Sequence, residues 1–117
     1  MEALGMGEVA LDLLASRFRA LSEPLRLRIL QELEARELSV GELVEVVQAG
    51  QPNVSRHLAI LHHAGLVSRR REGTSVFYGI GDPIVFKLCA LVCRREEKRN
   101  EQAQAALRRA RRHPAKR

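Results

Sequence analysis

Hydrophobic residues recur along this chain at the spacing of amphipathic helices, and in one short stretch they alternate as in a strand. The helical spacing predicts helices over residues 8–21, 24–37, 40–48 and 52–64, and a long last helix from residue 84. Before that last helix, Val76, Tyr78 and Ile80 alternate, so one face of this strand is expected to pack on the core. The strand carrying Arg69–Arg71 precedes it across a Glu-Gly turn. The pattern predicts a mainly α-helical domain with a small β-hairpin.

Short polar motifs mark where these helices begin and end. Ser22-Glu23-Pro24 combines a hydroxyl cap, an acid favoured by the helix dipole and a proline tolerated in the first turn. Ser39-Val40-Gly41-Glu42 has the form of a capping box for the third helix. Ala49-Gly50 is expected to supply the tight turn of a helix-turn-helix, and Gly65 is expected to end the fourth helix.

The first and fourth helices differ in what they offer a partner. The first is apolar over much of its circumference, which in so small a protein indicates burial against a second chain as well as its own core. In the fourth, Val54, Leu58 and Leu61 form the inward stripe. That stripe leaves polar side chains exposed in the N-terminal turns, namely Asn53, Ser55, Arg56 and His57.

A polar helix start followed by a basic hairpin is typical of a winged helix-turn-helix, so double-stranded DNA is the leading partner. Side chains of these types hydrogen-bond to base edges and phosphates in the major groove, and a basic hairpin reaches the neighbouring groove or backbone. The candidate DNA contacts are Gln51, Asn53, Ser55, Arg56, His57, Arg69, Arg70, Arg71 and Thr74. Capping of the helix by Gln51 and local hydrogen bonding by Ser55 remain alternative roles for those two.

Composition disfavours several other classes of protein. The chain has 117 residues, 45% of them hydrophobic, which suits a single domain with an aliphatic core. With one Tyr, three Phe and no Trp, it has too few aromatic rings to stack the bases of a single-stranded nucleic acid. It contains neither an apolar run of ~18 residues nor a signal-peptide pattern, so a cytoplasmic location with reduced cysteines and no membrane partner is expected. An enzyme is not expected, because the chain has no Gly-rich phosphate loop and no separate nucleophile–His–acid set.

The net charge of +6 is concentrated near the C-terminal end. Residues 94–117 carry ten Lys/Arg and three Glu, a net +7, whereas residues 1–93 carry ten Lys/Arg and eleven Asp/Glu, a net −1. We therefore expect a DNA-binding and dimerisation domain over residues 1–95 and a basic extension, helical or partly disordered, over residues 96–117. Such an extension suits an anionic polymer, although a solvated basic tail has the same composition.

Cys89 and Cys93 lie one helical turn apart and share a face of the last helix. An undistorted helix holds them too far apart for the Cβ–Cβ distance of ~3.8 Å in a disulfide, so an intrahelix disulfide is not expected. Two interpretations remain open. The pair can chelate a soft ion or react across a dimer interface, or it can pack as two small hydrophobic residues.

Three separated blocks of this sequence resemble the ArsR/SmtB family of bacterial winged-helix repressors. They are Phe18–Leu30, Gln51–Leu58 and His63–Val67, followed by the Arg-rich wing ending in Tyr78, and the resemblance covers roughly residues 9–95. It implies a homodimer that pairs its first and last helices, binds a palindromic operator and releases it when an inducer binds.

The chain departs from the metal-sensing members of that family. Where they often carry Cys-x-Cys in the helix before the turn, Glu42–Val47 here has neither thiol nor imidazole. Where zinc sensors place Asp and His ligands on the last helix, this one has Asp82, Cys89 and Cys93, and no histidine before His113. Neither familiar metal site is intact.

The sequence therefore predicts a winged-helix repressor released by an inducer. One hypothesis is that this inducer acts at Cys89 and Cys93, with a thiophilic ion such as As(III) as the candidate ligand. Two alternatives remain, a repressor whose cysteines are structural and a winged-helix module that binds other proteins. Steep salt dependence of DNA binding is expected only of a repressor, because it alone neutralises phosphates.

Overall fold

The computed structural model describes residues 5–112 and is mainly helical, as predicted. The chain divides into two compact units, Met1–Asp82 and Pro83–Arg117, and α5 belongs to the second. The elements are α1 (Glu8–Ala20), α2 (Pro24–Ala35), β1 (Leu38–Ser39), α3 (Val40–Val47), α4 (Gln51–His63), β2 (Val67–Glu72), β3 (Ser75–Ile80) and α5 (Ile84–Arg112).

An aliphatic core holds the helix-turn-helix of the first unit together. In α4 the predicted inward stripe is confirmed, since Val54, Leu58 and Leu61 are completely buried. The other helices of this unit, the strands and the turn after α4 add further buried residues, namely Ala20, Ile29, Leu30, Leu33, Leu38, Leu43, Val47, Leu66 and Val67. The buried stripe fixes which side of α4 is left for a partner.

The wing is a three-stranded antiparallel sheet in the order β1-β3-β2. The predicted hairpin is present, with Gly73 in the left-handed region (φ 61°) at its tip. The third strand was not predicted, because two residues, Leu38 and Ser39, are too few to show an alternating pattern. Val76, Tyr78 and Ile80 of β3 are half-buried, and so is Phe77 between them, so burial does not alternate along this strand.

The capping box that begins α3 is confirmed. The Ser39 hydroxyl accepts from the Glu42 backbone N–H at 3.2 Å, and a Glu42 carboxylate oxygen accepts from the Ser39 backbone N–H at 2.9 Å. These bonds hold the pKa of Glu42 below its usual value, and the nearby Arg36 adds to this. They also fix the point at which β1 passes into α3.

At two of the predicted helix boundaries, the predicted residues do not play the roles expected of them. Ser22 does not cap α2, because its hydroxyl donates to the carbonyl of Arg19 at 2.6 Å and so closes the end of α1. The tight turn after α3 is made by Gln48, which has a left-handed backbone (φ 54°), whereas Gly50 is extended. Gly65 follows α4 with φ 78°, so the predicted stop is confirmed.

Glycine at position 81 allows β3 to close against the end of α4. The Gly81 N–H donates to the carbonyl of Leu66 at 2.9 Å. A Cβ added at Gly81 would lie 2.8 Å from the carbonyl oxygen of Gly65, closer than real Cβ atoms come, so no other residue fits without a backbone shift.

The second unit contains α5, which is helical from Ile84 to Arg112, including the part of the predicted extension that is described. Ile84, Leu91 and Val92 are 57%, 56% and 56% exposed. Pro114, which was expected to break this helix, lies outside the described residues. Within residues 5–112, no helix combines the length and hydropathy that a membrane span needs.

Candidate nucleic-acid interface

The N-terminal turns of α4 present a polar surface. Gln51, Ser55 and Arg56 are exposed and Asn53 is half-buried. A terminal nitrogen of Arg56 donates to the side-chain oxygen of Asn53 at 2.7 Å, as their i, i+3 spacing allows. This bond aligns the guanidinium along the helix and leaves its other donors free to meet an acceptor. No side chain caps α4, so the alternative role of Gln51 as its cap is not seen.

His57 was predicted to be exposed, and that prediction is wrong. Its side chain is only 6% exposed, and its Nδ1 lies 2.9 Å from Nη1 of Arg26 in α2. A guanidinium can only donate, so Nδ1 must be the acceptor and the ring is neutral, with its proton on Nε2. Burial first, and then the charges of Arg26 and Arg56, lower the pKa of His57, while Glu23 opposes them.

Arg26 joins three helices through one guanidinium group. Besides His57, it donates from Nε to the carbonyl of Ala20 at 2.7 Å and from Nη2 to the carbonyl of Arg19 at 3.1 Å. The last carbonyls of α1 are thereby tied to the start of α2 and the middle of α4. His57 thus fixes the position of α4 from behind, while its neighbour Arg56 points outward.

The three arginines of β2 do not share a face. Cross-strand partners lie on the same side of a sheet, so Arg69 sides with Tyr78 and Arg71 with Val76, whereas Arg70 lies on the opposite side. The side chains of Arg69 and Arg71 are exposed and make no ion pair or hydrogen bond with any residue in the described part of the chain.

Arg70 is held by other groups of the wing. It donates from Nε and Nη2 to the two carboxylate oxygens of Glu37 at 3.3 and 3.2 Å, and from Nη1 to Glu72 at 2.7 Å. Its guanidinium carbon lies 5.1 Å from the ring centre of Phe77. These bonds, first that to Glu72, raise the pKa of Arg70. Its positive charge is therefore already matched by two carboxylates.

Glycine at position 79 makes room for this arrangement. A Cβ there would lie 3.2 Å from Cγ of Glu37 and 3.2 Å from the hydroxyl of Ser68. Glu37 can therefore lie across β3 and reach Arg70 on β2. At the far end of the hairpin, Thr74 is exposed beside Gly73, where a tip residue can reach a second groove or the backbone of a duplex.

In the second unit, Cys89 is half-buried, Cys93 is exposed and both are free thiols. Burial, with a smaller contribution from Cys93, raises the pKa of Cys89, which favours the protonated thiol. Within residues 5–112 there is no cluster of three or more His, Cys, Asp or Glu side chains able to hold a metal ion. A metal held by these thiols would need further ligands from elsewhere.

Sequence reasoning missed the residues that position this surface. Arg26 and Glu37 each act on a residue distant in the chain, with separations of 31 between Arg26 and His57 and of 33 between Glu37 and Arg70. No local motif signals such a pair. The sequence shows several arginines between Arg17 and Arg28, but it does not show which of them is half-buried and bonded to other helices.

Comparison with known proteins agrees with this architecture. Residues 23–69 match the family model described as bacterial regulatory protein, arsR family. The chain is 44% identical over 80 residues to a probable mercury resistance operon repressor of Streptomyces lividans, covering 68% of this chain and 64% of that protein. It therefore spans less than two thirds of that relative's length.

A second relative and a solved structure match over more of their length. The chain is 32% identical over 105 residues to the biofilm growth-associated repressor of Agrobacterium fabrum, covering 80% of this chain and 90% of that protein. It superimposes with a TM-score of 0.72 and 32% identity on the homodimeric winged helix-turn-helix DNA-binding domain of Mb0332 from Mycobacterium bovis, covering 84% of this chain and 94% of that one.

Proposed function

Because this chain belongs to the arsR family of bacterial regulatory proteins, we propose that it is a homodimeric transcriptional repressor that binds a palindromic operator in duplex DNA. Gln51, Asn53, Ser55 and Arg56 read base edges in the major groove, and Arg69, Arg71 and Thr74 of the wing contact backbone or minor groove. Arg70 and His57 support this surface from within the protein.

One observation carries the proposal: hydrogen-bond donors remain available at the N-terminal turns of α4 and on one face of the wing. Arg69 and Arg71 are exposed and have no partner among residues 5–112, and Arg56 uses only one of its donors, on Asn53. Cationic groups of this kind gain free energy at a duplex because each phosphate that they neutralise releases a condensed counterion. Donors that reach base edges gain hydrogen bonds in the major groove instead.

The homodimer is supported by exposed apolar residues on two helices. In α1, Val9, Leu13 and Phe18 are 76%, 63% and 51% exposed, and in α5 Ile84 and Val92 are 57% and 56% exposed. A monomer gains nothing from exposing such side chains, whereas a two-fold interface buries them. The homodimeric solved relative supports the same assembly.

The test is binding to the promoter region beside the protein's own gene, followed by footprinting. Arg56→Ala is expected to weaken specific binding by about 1–3 kcal/mol, as for the loss of a base-edge contact. Arg36→Ala is the matched control, since that arginine lies at the end of α2, pairs with Glu42 and is assigned no DNA contact. A protein-interaction module would instead show weak, sequence-independent binding that Arg56→Ala leaves unchanged.

The basic segment of α5 is proposed to add non-specific attraction. From Arg94 to Arg111, every described side chain except Ala105 is exposed. Deleting residues 96–117 is expected to flatten the slope of log K against log salt while sequence preference survives. Loss of the dimer in this variant would assign the segment to the dimer interface instead, and an unchanged slope would leave it a solvated tail.

We further propose that release from DNA occurs through Cys89 and Cys93. Their spacing of one helical turn and the exposure of Cys93 support attack or chelation by a thiophilic agent, and one relative is a probable mercury resistance operon repressor. The raised pKa of Cys89 argues against a thiolate at rest, so an ion must displace the proton.

The release test compares the parent with Cys89→Ser/Cys93→Ser on the same operator. As(III), Hg(II) or a mild oxidant should release the parent and leave the double variant bound. A parent that keeps its operator through all three agents would show that the cysteines are structural.

A further inference from the structure

A groove in the first unit lies between the C-terminal half of α1 and the C-terminal half of α4. Its volume is about 350 Å³, and its floor is apolar, formed by Ala20, Ala59 and Ile60. That size lies within the range of small-molecule sites. The groove is at the opposite end of α4 from the turns proposed to contact DNA.

Three nitrogen-bearing side chains also line this groove, Arg19, Arg26 and His63, and none of the lining residues is acidic. Arg26 is half-buried, and its three hydrogen bonds all go to neutral acceptors, two backbone carbonyls and the ring of His57. No carboxylate in the described part of the chain forms an ion pair with it.

A partly desolvated guanidinium without a counter-ion is electrostatically unsatisfied, so an anion that reaches it gains more than it would at an open surface. A guanidinium offers five N–H donors, and Arg26 uses three of them on the protein. A ligand can therefore take the remaining donors without breaking the bonds to α1 and α4.

We propose that this groove binds a small organic carboxylate with an apolar body. The carboxylate pairs with Arg26 and Arg19, and the body lies on Ala59 and Ile60. Ile60 is 39% exposed, so covering it removes apolar surface from water. The site is independent of the proposed DNA interface, because its residues are not those assigned to DNA.

The experiment uses the full chain without DNA and benzoate as the probe, with benzamide as its neutral analogue. Titration followed by amide chemical shifts should show saturable binding of benzoate, with the largest changes between residues 59 and 64 and around Arg19. Benzamide should bind at least tenfold more weakly, because it lacks the charge that the guanidinium groups need.

Two variants test the site without removing Arg26, which holds three helices together. Arg19→Gln removes one cation, and Ile60→Glu places a carboxylate inside the groove, so both should weaken benzoate at least tenfold. Arg36→Gln, at an exposed arginine outside the groove, should bind like the parent. Thermal melts establish that each variant is folded.

The proposal is overturned if benzoate does not saturate, if benzamide binds equally well, or if folded Ile60→Glu still binds benzoate like the parent. Shifts confined to other surfaces, or a groove covered by a second copy in the dimer so that benzoate has no access, would overturn it as well. None of these results depends on whether the protein binds DNA.

Discussion

Neighbouring arginines of the wing lie on opposite faces of β2. Replacing them separately therefore distinguishes an arginine that contacts DNA from one that only adds positive charge to the wing. Arg69 and Arg71 share one face of β2 and have no ion-pair or hydrogen-bond partner in the part of the chain that the structure describes, whereas Arg70 lies on the other face between Glu37 and Glu72. If the free face meets DNA, the outer two arginines neutralise phosphates and the middle one does not.

The magnitude follows from counterion release. Each phosphate contact contributes about −0.9 to the slope of log K against log salt. Arg69→Ala/Arg71→Ala should therefore reduce the steepness of this slope by about 1.8. Between about 50 and 200 mM salt, the double variant should accordingly lose about twelvefold less affinity than the parent does.

The matched control keeps the net charge of the wing constant. Arg70→Ala/Glu72→Gln removes one positive and one negative group from the same ion pair, whose Nη1 to carboxylate distance is 2.7 Å. Because no phosphate contact is lost, the slope should stay within experimental error of the parent. In Arg70→Ala alone, the carboxylates of Glu37 and Glu72 lose their positive partner. Binding should weaken because of these two uncompensated negative charges, again with little change of slope.

Fluorescence anisotropy on a labelled duplex of arbitrary sequence is sufficient for this measurement, since the phosphate term does not depend on sequence. Circular dichroism checks that each variant is folded. The reasoning is refuted if Arg70→Ala/Glu72→Gln reduces the steepness of the slope by about 0.9, as the loss of one phosphate contact would, because the internal ion pairs would then open on DNA. An unchanged slope in Arg69→Ala/Arg71→Ala would remove the wing from the interface.

Three further predictions concern stability in the first unit, measured as the free energy of unfolding in urea or as Tm. Because folding lowers the pKa of His57, the unfolded state binds more protons, so stability should fall as the pH drops below about 6.5. His57→Gln should show less of that fall; equal falls would contradict a buried neutral ring. Ser39→Ala should cost about 1 kcal/mol as the loss of an N-cap, and Ser22→Ala much less, since Ser22 caps no helix start; equal costs would refute this assignment. Gly81→Ala should lower Tm clearly and Gly41→Ala should not, because a Cβ meets a carbonyl oxygen at 2.8 Å in the first and only the Ser39 hydroxyl, at 4.0 Å, in the second; similar losses would mean that the backbone shifts freely.

The sequence by itself determined the elements whose cause is local. Helical spacing of apolar residues placed α1 and α4, and the capping box at Ser39 and the stop at Gly65 followed from rules that act within one turn. The polar start of α4 was visible for the same reason, because the buried stripe of Val54, Leu58 and Leu61 fixes by geometry which positions remain outside.

Local rules did not decide what happens at the edges of those elements. The roles of Ser22 and of the Ala49-Gly50 turn were misjudged because several residues can satisfy the same backbone groups, and the neighbouring helix selects among them. β1 was missed because its two residues become a strand only by pairing with Tyr78 and Phe77.

Only the tertiary structure decided which polar side chains remain available to a partner. His57 has the spacing of an exposed helix residue, but Arg26 of α2 lies over that position and turns it into a buried, neutral acceptor. The sequence does not distinguish Arg70 from Arg69 and Arg71. The pleat of β2 places its side chain on the opposite face, where Glu37 approaches across Gly79 and binds it. Arg26, the partner of His57, and Glu37, one partner of Arg70, lie 31 and 33 residues away in the chain, so packing brings them together, whereas Glu72, the other partner of Arg70, lies only two residues away.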